Sequence, residues 1–338
     1  MTLLDSESRA LLDDILPRYS PAPGMPSEEV RRRALELGRL LQGEPVSMAA
    51  ITDISIPPTG LVPIRLYRPA AADGGWMLWI HGGGFVSGGL DTHDLLCRRL
   101  ADGCGQTVIS LDYRLAPENP YPAALDDCLA VLDWLMARGT QSGLDPERGA
   151  IGGSSAGGNL AAAVTIARRG REGPGLRCQV LVYPCVDATM SMSRYATHGE
   201  GYQLTSAMMA HYLDAYCGAA PVRDQPLLSP FFAPDLTGLP PAHVAIAELD
   251  PLSEEAGAYA TRLADSGVPV ERCNYLGVMH GFFAQAGVLT KAREAQRAAC
   301  DFLRVHLRRA DARNPGSRPE NKGCAGADRD SARNKGAK

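Results

Sequence analysis

Between residues 76 and 309, short apolar runs alternate with longer stretches whose apolar residues recur at helical spacing. This alternation constrains the fold more than any other feature of the chain. Strands joined through helices run parallel, and a parallel sheet needs helices on both faces to keep its two apolar surfaces from water. The runs predicted as strands are Trp76 to Ile80, Thr107 to Leu111, Ala150 to Gly152, Gln179 to Tyr183, Ala242 to Ala247 and Val270 to Tyr275. The predicted helices are Ala124 to Arg138, Ala156 to Arg169, Ser253 to Ser266 and Lys291 to Arg309. Upstream, Ile51, Ile54 and Ile56 and then Val62, Ile64 and Leu66 alternate around Pro57-Pro58-Thr59-Gly60, the pattern of a β-hairpin. The expected fold class is α/β, with a mostly parallel central sheet flanked by helices.

Three segments fall outside the alternation. Residues 1 to about 44 read as two helical stretches separated by Tyr19-Ser20-Pro21-Ala22-Pro23-Gly24, the second running through Val30, Ala34, Leu37, Leu40 and Leu41 at helical spacing. No strand of their own accompanies them, so the stripe must cover something on the main domain. Between Pro184 and Pro240 the alternation lapses around Met208, Met209, Tyr212 and Tyr216. The last residues are rich in Gly, Lys, Arg, Asp and Asn with almost nothing apolar. The expected organisation is a helical cap segment at 1–45, one α/β domain at 46–312 with a cap insertion at about 185–225, and a disordered tail at 313–338.

Composition removes several classes of function. At 45% hydrophobic and 21% charged residues the chain is of ordinary globular type. A net charge of -4 offers no basic footprint, which argues against nucleic acid and against stable association with an anionic membrane. Nine cysteines are scattered singly, with no CxxC pair and no His-Cys cluster, a pattern that suggests free thiols in a reducing compartment. The first residues carry acids where a secretory leader carries bases, and no apolar stretch approaches the roughly 20 residues of a spanning helix. A cytoplasmic location is expected, and the oligomeric state, a homo-oligomer included, stays open.

The chemistry-bearing residues lie where predicted strands end. Gly153-Ser154-Ser155-Ala156-Gly157 follows a strand and opens an Ala-rich helix. A GxSxG in that setting puts its central serine on a sharp strand-to-helix turn. A motif centred on Ser154 would need Gly at 156, which is Ala, so the nucleophile is Ser155. Alone the motif is weak, and a glycine-rich phosphate-binding helix start reads similarly. The second signal, His81-Gly82-Gly83-Gly84-Phe85 directly after the strand Trp76 to Ile80, is far more specific. Its three glycines leave backbone N–H groups unshielded, so that two of them can point at one oxygen and, with the N–H of Ala156, are expected to form an oxyanion hole. His81, Gly82 and Phe85 are read as supporting or substrate-binding residues. A nucleophilic serine needs a base and an orienting acid, following it in the order Asp then His. Asp250 comes after the strand Ala242 to Ala247 and His280 after the strand Val270 to Tyr275, on loops that share the sheet edge with Ser155. Glu248 and Glu254 are rivals for the acid.

With those residues in hand the chain resembles the hormone-sensitive-lipase-like (bacterial family IV) serine esterases of the α/β-hydrolase fold. The resemblance covers about residues 50 to 310. It is carried by His81 to Phe85, Asp112-Tyr113-Arg114-Leu115-Ala116-Pro117-Glu118, Tyr121-Pro122-Ala123-Ala124, Gly152 to Leu160, Asp250-Pro251-Leu252 and His280-Gly281-Phe282. It implies a catalytic triad of Ser155, Asp250 and His280, an oxyanion hole at Gly83, Gly84 and Ala156, a helical cap, no cofactor and no metal. The chain departs from the family at Ser154, where Asp or Thr is usual, and at Ser253, where Arg is common. Asp112, Arg114 and Glu118 are read as one buried network bracing the HGGGF loop.

The expected activity is hydrolysis of small, short-to-medium acyl carboxylic esters. Alternatives are a lactone, amide or acetylated small molecule cleaved at the same site. A non-catalytic small-molecule receptor of the same fold is disfavoured by the presence of His280. A lipase acting at an oil interface is disfavoured by an aromatic content of 6%.

Overall fold

The apolar runs of the sequence become strands, and the periodic stretches become helices that cover them. A computed structural model describes residues 3–22, 24–56, 62–219 and 222–309. In chain order the helices are α1 (Ser6–Ala10), α2 (Leu16–Tyr19), α3 (Ser27–Leu41), α4 (Asp94–Cys104), α5 (Ala123–Arg138), α6 (Ala156–Arg168), α7 (Arg194–Thr197), α8 (Ser206–Cys217), α9 (Ser253–Asp265) and α10 (Thr290–Leu307). The strands are β1 (Ala50–Ile56), β2 (Val62–Arg68), β3 (Trp76–Ile80), β4 (Thr107–Leu111), β5 (Gly149–Ser154), β6 (Cys178–Val182), β7 (Ala242–Leu249) and β8 (Val270–Met279). They form one sheet of order β1-β2-β4-β3-β5-β6-β7-β8. Strands β3 to β8 run parallel, and β2 pairs antiparallel with both β1 and β4. The predicted turn at Pro57 to Gly60 and the predicted tail lie outside the described residues.

Strands β3, β4, β5 and β6 are buried along their whole length, as a sheet covered on both faces requires. One core holds Leu125 and Val131 of α5, Leu160 of α6 and Tyr259 of α9, and the other holds Leu96 and Leu100 of α4 and Leu303 of α10. Helix α4 is absent from the sequence-based expectation. Its buried residues Leu96, Cys97, Leu100, Ala101 and Cys104 have helical spacing, but no side chain caps its start at His93.

The N-terminal segment packs against two parts of the molecule. Leu4, Leu11 and Leu16 are buried in the second core. Asp5 N–H donates to Gly277 O at 2.9 Å, tying the start of α1 to β8, while Tyr19 at the end of α2 lines the cavity described below. Helix α3 instead lies across the sheet's C-terminal edge. Within its stripe Leu41 is buried while Leu40 is 50% exposed and covers nothing.

Seven described cysteines are free and buried, whereas Cys273 is disulfide-bonded, so the reading of nine free thiols fails there. Among the described residues no helix is long and apolar enough to cross a membrane.

Candidate active site

The C-terminal ends of β3, β5, β7 and β8 meet where the sheet's parallel strands deliver their loops. Ser155 sits between β5 and α6 with φ 56° and ψ -119°, a conformation rarely taken by a residue with a side chain. Its N–H donates to Val182 O at 2.9 Å, and its carbonyl accepts from Asn159 at 3.0 Å and from Cys185 at 3.3 Å. The turn closes only because Gly157 lacks a Cβ, which would collide with the carbonyl oxygen of Ile80. The strain is thus held by backbone bonds on both sides, and the Oγ projects into a cavity.

Asp250 lies one residue beyond β7 and His280 one residue beyond β8. The structure brings both to Ser155. His280 Nε2 lies 2.9 Å from Ser155 Oγ, and His280 Nδ1 lies 2.7 Å from Asp250 Oδ2. Leu252 N–H donates to the other Asp250 oxygen at 2.9 Å, fixing a carboxylate that is fully buried. With Asp250 accepting at Nδ1, the proton sits there and Nε2 presents its lone pair to the serine. The Tyr183 ring packs 4.6 Å from the His280 ring. The rival acids are engaged elsewhere: Glu248 accepts from Gly277 N–H at 2.8 Å, and Glu254 from the Ser193 hydroxyl at 2.7 Å.

The HGGGF loop runs beside this serine. A Cβ on Gly82 would stand 3.5 Å from the Ser155 Cβ, which places the loop against the nucleophile's flank. Gly83 and Gly84 have φ +123° and +61°, and a Cβ on Gly84 would collide with the Tyr212 ring. The Gly83 carbonyl accepts from Val86 and Ser87 N–H at 3.2 and 3.0 Å, closing a tight turn. Among the described residues the N–H groups of Gly83 and Gly84 have no acceptor, and that of Ala156 is a first-turn donor without an intrahelical partner. His81 is fully buried, its ring stacked 4.2 Å from Tyr113, its Nδ1 2.8 Å from Gly82 O. Burial pushes its pKa down to about 4, so at neutral pH it is an uncharged prop. Phe85 stacks on Tyr216 at 3.7 Å.

The expected Asp112–Arg114–Glu118 network does not form as one unit. Arg114 makes a two-pronged bond to the buried Asp127 at 2.7 to 3.0 Å, while Glu118 turns to Arg31 of α3 at 2.6 Å. Burial raises the Asp112 carboxyl above its ordinary range. Sequence reasoning also missed Glu255, whose buried carboxyl accepts from Val186 N–H at 2.7 Å and Tyr195 Oη at 2.9 Å, tying the start of the insertion to α9. Its place five residues after Asp250 is the only sequence signal it gives.

Above Ser155 lies a cavity of about 220 Å³. Its floor carries Ser155, His280, Gly83 and Gly84, and its walls include Ala34 and Leu37 of α3 and Met209 and Tyr212 of α8. Both segments singled out as cap therefore face the same space. Among the described residues one group resembles a metal site, His243, Glu271 and Cys273, with ligand-type atoms within 4.8 Å of one another. It lies at the opposite edge of the sheet, and its cysteine is committed to a disulfide.

A family model described as alpha/beta hydrolase fold matches residues 77–284, which span the strands and loops just described. The chain belongs to the hormone-sensitive-lipase-like esterases of the α/β-hydrolase fold. The esterase is 38% identical over 304 residues to esterase LipI of Mycobacterium tuberculosis, covering 88% of this chain and 93% of that one. It is 34% identical to an ethyl acetate hydrolase of Pseudomonas putida, covering 85% and 92%. Among solved structures it resembles an ester hydrolase from the metagenome of Lake Arreo, complexed with a bipyridine phosphonate derivative. The TM-score is 0.85 at 37% identity, covering 90% of this chain and 99% of the other. The esterase is thus a carboxylic ester hydrolase acting on small-molecule esters.

Proposed function

We propose that this esterase cleaves short-to-medium acyl esters through an acyl-enzyme formed on Ser155. The unbroken line Asp250–His280–Ser155, with links of 2.7 and 2.9 Å beneath an apolar cavity, carries the reading. His280 Nε2 takes the Ser155 proton as Oγ attacks the ester carbonyl carbon. The carbonyl oxygen becomes an oxyanion held by the N–H groups of Gly83, Gly84 and Ala156, donors that need no rearrangement as the charge develops. Collapse breaks the ester bond, and the leaving alcohol takes its proton from His280. Water, deprotonated by the same imidazole, then releases the acid and restores Ser155. Asp250 keeps the imidazole oriented and stabilises its charged form.

The substrate size follows from the roof, which we read as a lid built from α3 and the 185–225 insertion. At about 220 Å³ the cavity falls below the usual range of about 300 to 1,000 Å³ for drug-sized ligands. An acyl chain of about eight carbons or fewer suits that space. The ethyl acetate hydrolase among the relatives supports a short-ester preference, and the phosphonate complex of the Lake Arreo ester hydrolase supports a serine-directed chemistry.

The test is hydrolysis of p-nitrophenyl esters of two to sixteen carbons by wild type, Ser155→Ala, Ser154→Ala and Asp250→Asn, with fluorophosphonate labelling. Ser155→Ala should lose turnover by about 10⁴-fold or more and lose labelling, and Asp250→Asn should fall by about 10³-fold or more. Ser154→Ala should keep most activity. Labelling that persists in Ser155→Ala, or a rate maximum at sixteen carbons, would overturn the reading.

A further inference from the structure

Glu118, the last residue of the Asp112 to Glu118 motif, has no partner within its own loop and finds one in the N-terminal helix α3. Its carboxylate accepts from Arg31 at 2.6 and 3.0 Å. The same guanidinium reaches two main-chain carbonyls, Val86 O at 2.9 Å and Ala116 O at 3.2 Å. Those two carbonyls flank one structure. Ala116 N–H donates to Phe85 O at 3.0 Å, and Val86 N–H to Gly83 O at 3.2 Å. One arginine therefore spans the far side of the turn that presents Gly83 and Gly84 to the cavity.

We propose that Arg31 is a positioning residue for ester hydrolysis, latching α3 to the turn that carries the oxyanion donors so that a docked lid and a correctly aimed hole are one state. The proposal rests on the reading of Gly83 and Gly84 as those donors. The turn is also tied by the Phe85 stack on Tyr216 at 3.7 Å and by Ala116 N–H on Phe85 O, and Arg31 adds the bond to Val86 O. Three consecutive glycines give it little stiffness of its own, and a guanidinium's planar fork holds two carbonyls at a fixed separation where an ammonium holds one. The ion pair with Glu118 contributes little by itself, because that carboxylate is half exposed. The bonds to the carbonyls carry the effect, and they act on every ester alike, since every ester develops its oxyanion in the same place.

The experiment compares kcat and KM for p-nitrophenyl acetate and p-nitrophenyl octanoate in wild type, Arg31→Ala, Arg31→Lys, Glu118→Gln and Gly84→Val. Circular dichroism serves as a folding check. Arg31→Ala should lower kcat about tenfold on both esters, with the acetate KM moving by less than about threefold, because a misaimed donor is felt in the transition state. Arg31→Lys, reaching one carbonyl at a time, should fall about threefold on both. Glu118→Gln should stay within about twofold of wild type.

Normal acetate kcat in Arg31→Ala with only the octanoate KM raised would overturn the latch and leave Arg31 a mere lid anchor. Equal losses in Glu118→Gln and Arg31→Ala would also overturn it, since the charge and not the carbonyls would then matter. If Arg31→Ala fails to fold, Arg31→Lys decides by the same split. Full kcat in Gly84→Val would overturn the oxyanion reading and the latch together. A loss in Gly84→Val with none in Arg31→Ala would overturn the latch alone.

Discussion

The floor of the cavity and its roof are held by different mixes of bonds. On the floor Ser155 is fixed through its own N–H and C=O to Val182, Asn159 and Cys185, and the HGGGF loop hangs from β3 with His81 O accepting from Tyr113 Oη at 3.1 Å. The roof adds side-chain ties, Arg31 on the Gly83 turn, Gln42 on Thr92 O at 2.7 Å and Tyr212 against Gly84, to two main-chain bonds near the ends of α3 and α8, Gly287 N–H to Leu41 O at 2.9 Å and Tyr121 N–H to Tyr216 O at 2.7 Å. Backbone bonds define one geometry whatever the side chains are, while side-chain contacts permit many roofs over one floor. The difference implies that the floor sets whether an ester is cut and the cavity-facing side chains of the roof set which ester, with Arg31 the roof residue that acts on the floor.

The most severe way to break that division is to push a floor residue into the roof. Gly84→Val would drive its side chain into the Tyr212 ring and swing the N–H away, and kcat should fall about a hundredfold on all chain lengths with KM changed less. Steady-state kinetics on acetate and octanoate esters check this. Normal kcat with weakened binding would mean the loop only shapes the cavity.

A smaller and selective effect is expected from the roof alone. Ala34→Leu adds bulk on the α3 face that lines the cavity and leaves every floor bond untouched. Octanoate turnover should drop about tenfold relative to acetate, the scale of a few methylenes in an apolar pocket. A chain-length profile identical to wild type would remove α3 from the determinants of substrate size.

The mildest effect concerns how the floor depends on pH. An unfolded histidine takes its proton at about 6.5, whereas buried His81 resists until about 4. Between those values the unfolded chain binds more protons than the folded one. Stability is therefore full above about 6.5 and falls as pH drops toward 4, by on the order of 3 kcal/mol. Thermal unfolding at pH 7 and 4.5 should show this loss in wild type and a shallower one in His81→Gln. An equal slope in both would assign the acid sensitivity to other groups.

Several features were legible without the tertiary structure because they follow from local rules. The six predicted parallel strands agree with β3 to β8, two of them residue for residue, since an apolar run between turn signals has one stable use in a covered sheet. Strand β8 runs on to Met279, past Tyr275, because its pairing with β7 shifts register between Ala247 and Leu249, which no local pattern announces. The candidate triad was likewise readable, because Ser155, Asp250 and His280 each follow a predicted strand of a parallel sheet. Their order in the chain maps onto one edge in space.

What the sequence by itself determined about this esterase was the sheet, the edge that bears its chemistry and the residues that stand there, all consequences of spacing within one element or its loop. Only the tertiary structure decided which distant side chains meet. Arg31 and Glu118 are 87 residues apart and Arg114 and Asp127 are 13, yet Asp112, Arg114 and Glu118, neighbours in one motif, separate to different partners. Charges choose partners by where the folded backbone presents them and by how much water each must lose, and neither quantity exists until the chain has packed.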